Sequence, residues 1–316
     1  MAGIELYARR EARHRRTWTA AAVVLAAVFL IGGQVVTLLP AIALGWVDPK
    51  AQAEGWPALT YTLVAAFGAT AAMVFAWARF FERRGPSALG FNAQGPKRFV
   101  RGYLVGLGFL AAVVGIIWAA GGYTIEGPGA FGAASVGAAL LPIVILMLGF
   151  IIQGSTEEIL FRGWLMQVIA SRHGLWAGIL GNALLFGLAH ASNIEPSREL
   201  YVGLANIALF GLFISLYAAR EGSLWGVCGW HAAWNWLLGL GFGLQVSGQV
   251  IDVTPLITDL TDKAGAPWWL TGAAFGPEAS VVTTAVVGLG VVVLLLRGRT
   301  VDHGVEATPQ PEPATV

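Results

Sequence analysis

Eight runs of mostly apolar residues punctuate the chain, at about residues 17–46, 57–77, 102–120, 136–172, 175–191, 201–219, 224–244 and 279–296. A run of roughly 20 apolar residues matches the hydrocarbon thickness of a bilayer. Backbone groups in hydrocarbon must pair within the protein, so such runs fold as helices. The pattern predicts an all-α fold, a polytopic membrane helix bundle with about eight transmembrane helices. Composition agrees: 56% of the 316 residues are hydrophobic and only 12% are charged. A soluble protein carries about 25% charged residues, so too little polar surface is present to clothe one. A net charge of +1 gives no footprint for nucleic acid. A lone cysteine, Cys228, excludes an intramolecular disulfide framework and a Cys-rich metal site.

Basic residues set the expected orientation. With the N-terminus inside, sixteen of the nineteen Lys and Arg residues fall on inner segments, among them Arg9, Arg10, Arg13, Arg15 and Arg16. The outer segments keep Lys50, Arg198 and Lys263. That is a strong positive-inside bias. It predicts a multi-pass protein of the cell membrane with both termini cytoplasmic. The first apolar run follows a basic cluster, as in a signal peptide, but is too long for one and reads as a retained helix. Trp46, Trp56, Trp225, Trp268 and Trp269 fall near expected helix ends, as in an aromatic belt.

The chain divides into a basic cytoplasmic segment (1–16), three N-terminal transmembrane helices (17–135), a core of helices four to seven (136–246), an outer loop with helix eight (247–299) and a polar, proline-rich tail (300–316) expected to be disordered. The outer loop is long enough to hold a short interfacial segment around Trp268 and Trp269. Gly102 and Gly106 form a small-xxx-small pair that lets two helices approach.

Polar groups inside spans are the informative ones, because each is costly unless paired. Three clusters lie in the core. The first is Glu157-Glu158-Ile159-Leu160-Phe161-Arg162. Adjacent helical residues point about 100° apart, so the two carboxylates face differently. Glu158 and Arg162, four apart, share a face in the favourable order, leaving Glu157 toward the bundle interior as a general base. The plainer alternative is a solvated ion pair at a helix end. The second cluster is Phe186-Gly187-Leu188-Ala189-His190, whose histidine alone would read as structural. The third is His231-Ala232-Ala233-Trp234-Asn235, where the spacing puts imidazole and amide on one face. Both can donate to a developing oxyanion, or simply clamp two helices. Asn182 and Asn206 read as packing polars and Cys228 as an apolar filler.

A glutamate, two histidines and an asparagine suit a hydrolytic site. The same residues leave a zinc site open, with Glu157, His190 and His231 as ligands and Zn activating the water. No H-E-x-x-H motif favours that use.

Taken in order, E-E-x-x-x-R, F-x-x-x-H and H-x-x-x-N on successive apolar segments resemble the CAAX-protease and bacteriocin-processing (CPBP) family of intramembrane proteases. The resemblance spans about residues 136–244. It implies an endopeptidase acting on a peptide or membrane-associated protein. By motif position it implies Glu157 as general base, His190 holding the catalytic water, His231 and Asn235 as the oxyanion hole, and Glu158 with Arg162 orienting Glu157. Whether such members use a metal stays open. The Ala-, Gly- and Arg-rich composition, with only three lysines, suits a GC-rich bacterium. That favours a peptide or membrane-protein substrate over a prenylated one. A proton- or ion-coupled transporter and a non-catalytic immunity or scaffold protein are the alternatives.

Depth presents a difficulty. Glu157 and His190 each lie fifteen residues from the inner turn between helices four and five, about 22 Å, and come out level. His231 lies seven residues past Leu224, which leaves it roughly 12 Å shallower. A fourth and fifth helix that protrude on the inner side would close the gap.

Overall fold

The computed structural model describes residues 3–45, 55–297, 300 and 302–304. Eight helices form the bundle: α1 (Thr19–Ala43), α2 (Gly55–Phe81), α3 (Gly95–Ala119), α4 (Val136–His173), α5 (Leu175–Leu188), α6 (Arg198–Glu221), α7 (Trp225–Trp236, continued by a π-helical turn Leu237–Gly241) and α8 (Val281–Leu296). Each corresponds to an expected apolar run. Among the described residues five, α1, α2, α3, α4 and α6, are long and apolar enough to cross a membrane by themselves, rather than about eight. With 14 residues, α5 reaches about 21 Å, short of a hydrocarbon core of about 30 Å. α8 has 16 residues. In α7 every residue from Gly226 to Asn235 is buried, so this helix has no lipid face and serves as the core of the bundle.

The fold is almost, not wholly, α. Strand β1 (Tyr123–Gly127) pairs antiparallel with β2 (Asp259–Asp262), with Tyr123 opposite Asp262. These strands lie in the long connections, where no apolar period announces them. The segment expected around Trp268 and Trp269 is a single helical turn, Trp268–Thr271. Trp46 and nearly all of the tail lie outside the described residues. Leu141, Val144 and Leu148 on α4, Leu180, Leu184 and Leu188 on α5, and Leu289 and Leu296 on α8 are exposed, as lipid-facing residues are.

Glycine lets the central helices close on one another. A Cβ at Gly102 would run into the Gly226 carbonyl oxygen, and one at Gly106 would lie 2.5 Å from the Trp230 carbonyl oxygen. From the other side, a Cβ at Gly229 would strike the Phe99 carbonyl oxygen. The small-xxx-small pair thus seats α3 on α7. Gly154 does the same for α4, where a Cβ would meet the Ala232 nitrogen at 3.1 Å.

The depth difficulty resolves here. Leu224, which opens into α7, packs over Gly163 and receives its backbone support from Gly90, whose carbonyl accepts the Leu224 N–H at 3.0 Å. Gly163 lies nine residues before Arg172, roughly 13 Å along the helix. The end of α4 and the start of α5 therefore extend past the start of α7, and His231 comes level with Glu157. The protruding part is not bare. Ile4 N–H donates to the Ala170 carbonyl, Leu6 N–H to Gln167 Oε1, and Tyr7 Oη to the Arg162 carbonyl. Within this N-terminal segment, Glu5 pairs with Arg10 and with Arg84, all buried. The segment expected as a basic extension is folded onto the bundle. It also meets the other end of the chain: His303 N–H donates to the Glu5 carbonyl at 2.9 Å.

Replacing Gly102 with alanine is expected to push α3 off α7 and lower the unfolding midpoint in detergent, by about 1–3 kcal/mol as overpacked sites typically lose. Gly108, with open space around its Cβ position, supplies the control: Gly108→Ala should leave the midpoint in place.

Candidate active site

Glu157 and Glu158 sit where α4 changes its winding. The α-helical part ends at Glu158, and Ile159–Leu165 forms a π-helical turn. Such turns recur at functional sites because the inserted residue re-aims side chains. Here the two carboxylates diverge, as the 100° offset requires.

Glu158 turns into the protein. Its Oε1 accepts from Arg162 Nη1 at 3.0 Å and from His231 Nδ1 at 2.7 Å. Neither Glu158 nor Arg162 has measurable exposure. The solvated ion pair is thus excluded; this pair belongs to the interior. The Arg162 guanidinium also lies over the Phe186 ring, 4.1 Å from its centroid. A cation on a desolvated aromatic face gains more than it does at a surface.

Glu157 turns the other way. Its Oε1 accepts from Gln153 Nε2 at 2.6 Å, and Gln153 Oε1 accepts from Asn235 Nδ2 at 2.9 Å. Its Oε2 is buried without a donor among the described residues and lies 3.7 Å from His231 Nε2. His231 therefore stands between the two carboxylates. Because Glu158 accepts, Nδ1 carries the hydrogen, and Nε2 is the nitrogen offered toward Glu157.

His190 stands just past the end of α5. Its Nδ1 lies 2.9 Å from the Phe186 carbonyl oxygen, which can only accept, so Nε2 is the free nitrogen. Its ring meets Phe186 edge-on at 4.9 Å, and His231 meets the same ring at 6.2 Å. Phe186 thus lies against His190, His231 and Arg162 together. Glu157, Glu158, Arg162, His231 and Asn235 form one hydrogen-bonded and electrostatic cluster, and His190 joins it through Phe186.

Two residues escaped the reading by motif. Gln153 fixes Glu157 and reaches Asn235; its signal was an amide in an apolar run, one helical turn before Glu157. Phe186 opens the F-x-x-x-H motif, but nothing in the sequence shows that Arg162, His190 and His231 share its ring. Asn182 and Asn206 are packing polars: Asn182 Nδ2 donates to Ser215 Oγ at 3.0 Å, and Asn206 holds the chain at Glu278 and Ser280. Cys228 is a buried filler.

Among the described residues, no three His, Cys, Asp or Glu side chains gather as a metal ion needs. Glu157, His190 and His231 do not come together as such a group in this arrangement, although the Nδ1–H that His231 gives to Glu158 leaves its Nε2 free, as in a metal-bound histidine.

Removing one partner of the buried pair leaves a bare charge, which costs about 3–5 kcal/mol. Arg162→Ala should therefore lower the unfolding midpoint as well as any activity. A variant as stable as the native chain would show that Glu158 does not depend on Arg162.

No curated protein and no solved structure matches the chain. Residues 139–237 match the family model described as Type II CAAX prenyl endopeptidase Rce1-like. That stretch carries Glu157, Glu158, Arg162, His190, His231 and Asn235 and covers all but the first three residues of α4, then α5, α6 and α7 up to the first residue of its π-helical turn. A CAAX-protease-family domain of the Rce1-like kind is present over this part of the chain.

Proposed function

We propose that the chain is an intramembrane endopeptidase that hydrolyses a peptide bond in a peptide or membrane-associated protein. The carrying observation is the asymmetry of the two glutamates. Glu158 is tied to Arg162 and His231, whereas Glu157 is held by Gln153 at one oxygen and presents the other without a donor. A carboxylate fixed on one side and open on the other suits a general base.

In this reading His190 Nε2 and Glu157 Oε2 hold the reacting water. Glu157 takes a proton as the water oxygen bonds to the carbonyl carbon. The resulting oxyanion accepts from Asn235 Nδ2, which spends only one of its two hydrogens on Gln153, and from His231 Nε2 in the doubly protonated ring. Collapse breaks the C–N bond, and Glu157 returns the proton to the leaving nitrogen. Glu158 and Arg162 position His231 and, through the helix, Glu157. Preorganised donors in a dry site act more strongly than in water.

The same reading keeps both termini cytoplasmic. Five crossings would put the ends on opposite sides, yet the segments around Glu5 and His303 are hydrogen-bonded to each other. That contact favours an even number of crossings, with the short helices completing the passage. The eight-helix arrangement meets that need, and the positive-inside bias gives its direction.

Membrane-protein termini compared between cells carrying the native chain and cells carrying Glu157→Gln at equal abundance test the reading. A defined set of termini should fall by about 10²–10⁴-fold, as loss of a general base predicts. Identical termini under every growth condition would overturn it, and ion or solute flux would be measured next. Purified protein should keep its activity after chelation; one equivalent of zinc whose removal stops cleavage would replace the carboxylate mechanism.

A further inference from the structure

Glu278 lies beyond the family domain, on the turn Pro277–Ala279 before α8, and is 3% exposed. Among the described residues no Lys or Arg pairs with it. A buried acid without a cation is costly, and an anchor for a loop needs no such group. The carboxylate instead joins two parts of the candidate site. Oε1 accepts from Trp234 Nε1 at 3.0 Å, on the helix turn that carries His231 and Asn235. Oε2 accepts from both the backbone N–H and the hydroxyl of Ser247, the latter at 2.8 Å.

Ser247 has a φ of +49°, in the left-handed region that a side chain disfavours. Its two hydrogen bonds to Glu278 hold it there. The Ser247 carbonyl in turn accepts from Asn193 Nδ2 at 2.9 Å, and the Asn193 N–H donates to the His190 carbonyl at 3.1 Å. An unbroken hydrogen-bonded path therefore runs from Trp234 through Glu278, Ser247 and Asn193 to His190. The turn bearing Glu278 is itself fixed: Asn206 Nδ2 on α6 donates to its carbonyl at 2.8 Å. Burial pushes the Glu278 carboxyl above its ordinary value, against the pull of the Ser247 hydrogen bonds and the nearby His190 ring.

We infer that Glu278 is a positioning residue of the proposed peptidase site, a clasp that sets the His190 turn against the helix carrying His231 and Asn235. The inference rests on the peptidase reading for its functional half; the clasp itself does not.

Two variants open the clasp from opposite sides. Glu278→Gln keeps an acceptor for Trp234 but turns an NH2 group toward the Ser247 N–H. Trp234→Phe removes the other hydrogen bond while leaving a ring to stack on Trp230. Hydrogen exchange on the full chain in nanodiscs reads the clasp directly. Each variant should speed exchange across residues 189–197 by about tenfold, the worth of one charge-assisted hydrogen bond, and leave the α3–α7 contact unchanged. The same variants should reduce the Glu157-dependent termini by about tenfold. The double variant should be no worse than the worse single one, since both break one coupling. Native exchange across 189–197 in both variants would overturn the clasp. Faster exchange with undiminished Glu157-dependent termini would overturn positioning. Absence of such termini in the native chain would instead remove the peptidase reading, with the exchange result still deciding the clasp.

Discussion

The contact among Glu158, Arg162 and His231 is the constraint on which the rest of this protein turns. Three ionisable side chains lie together in a bundle whose surroundings are apolar. Each would be costly alone, and together they are tolerated because one carboxylate oxygen serves both the guanidinium and the imidazole. The pairing ties α4 to α7 at a defined depth. It also leaves Glu157 outside the pair, with one carboxylate oxygen unpaired by any hydrogen bond among the described residues.

Bringing those helices close enough required glycine rather than charge. Gly102, Gly106 and Gly229 seat α3 against α7, and Gly154 seats α4 against the backbone beside His231. At such distances a single methyl group displaces a helix. Rigid helix contact is also what fixes a site to within the fraction of an ångström that chemistry demands. The aromatic hub adds to this. Phe186 takes the Arg162 guanidinium on its face and meets both imidazoles in tilted, edge-type contacts, so the three side chains pack against one ring.

Parts of the chain outside the family domain complete the structure. The N-terminal segment packs along the last turns of α4, and Tyr7 satisfies the Arg162 carbonyl within the π-helical turn. On the opposite side, Glu278 links the helix of His231 to the turn of His190. Both ends of the chain thus act on the central helices through hydrogen bonds formed by residues distant in sequence.

The sequence by itself determined the helical character, the membrane setting, the eight apolar segments and the cluster of Glu157, Glu158, Arg162, His190, His231 and Asn235. Apolar run length, charge asymmetry and i, i+4 spacing are local properties that suffice for the first three, while the cluster also needed the order of the three motifs and the family it resembles. The Glu158–Arg162 pair was legible because both partners lie on one helix. Gln153 and Glu278 were not legible as site residues, because their partners come from other helices and turns. The small sheet was missed because two short strands from distant connections carry no shared period. Tertiary structure alone decided that three of the eight helices are too short or too buried to be read as independent spans. It alone brought His231 level with Glu157, because helix depth follows from which glycine a leucine packs against and not from counting residues to a loop.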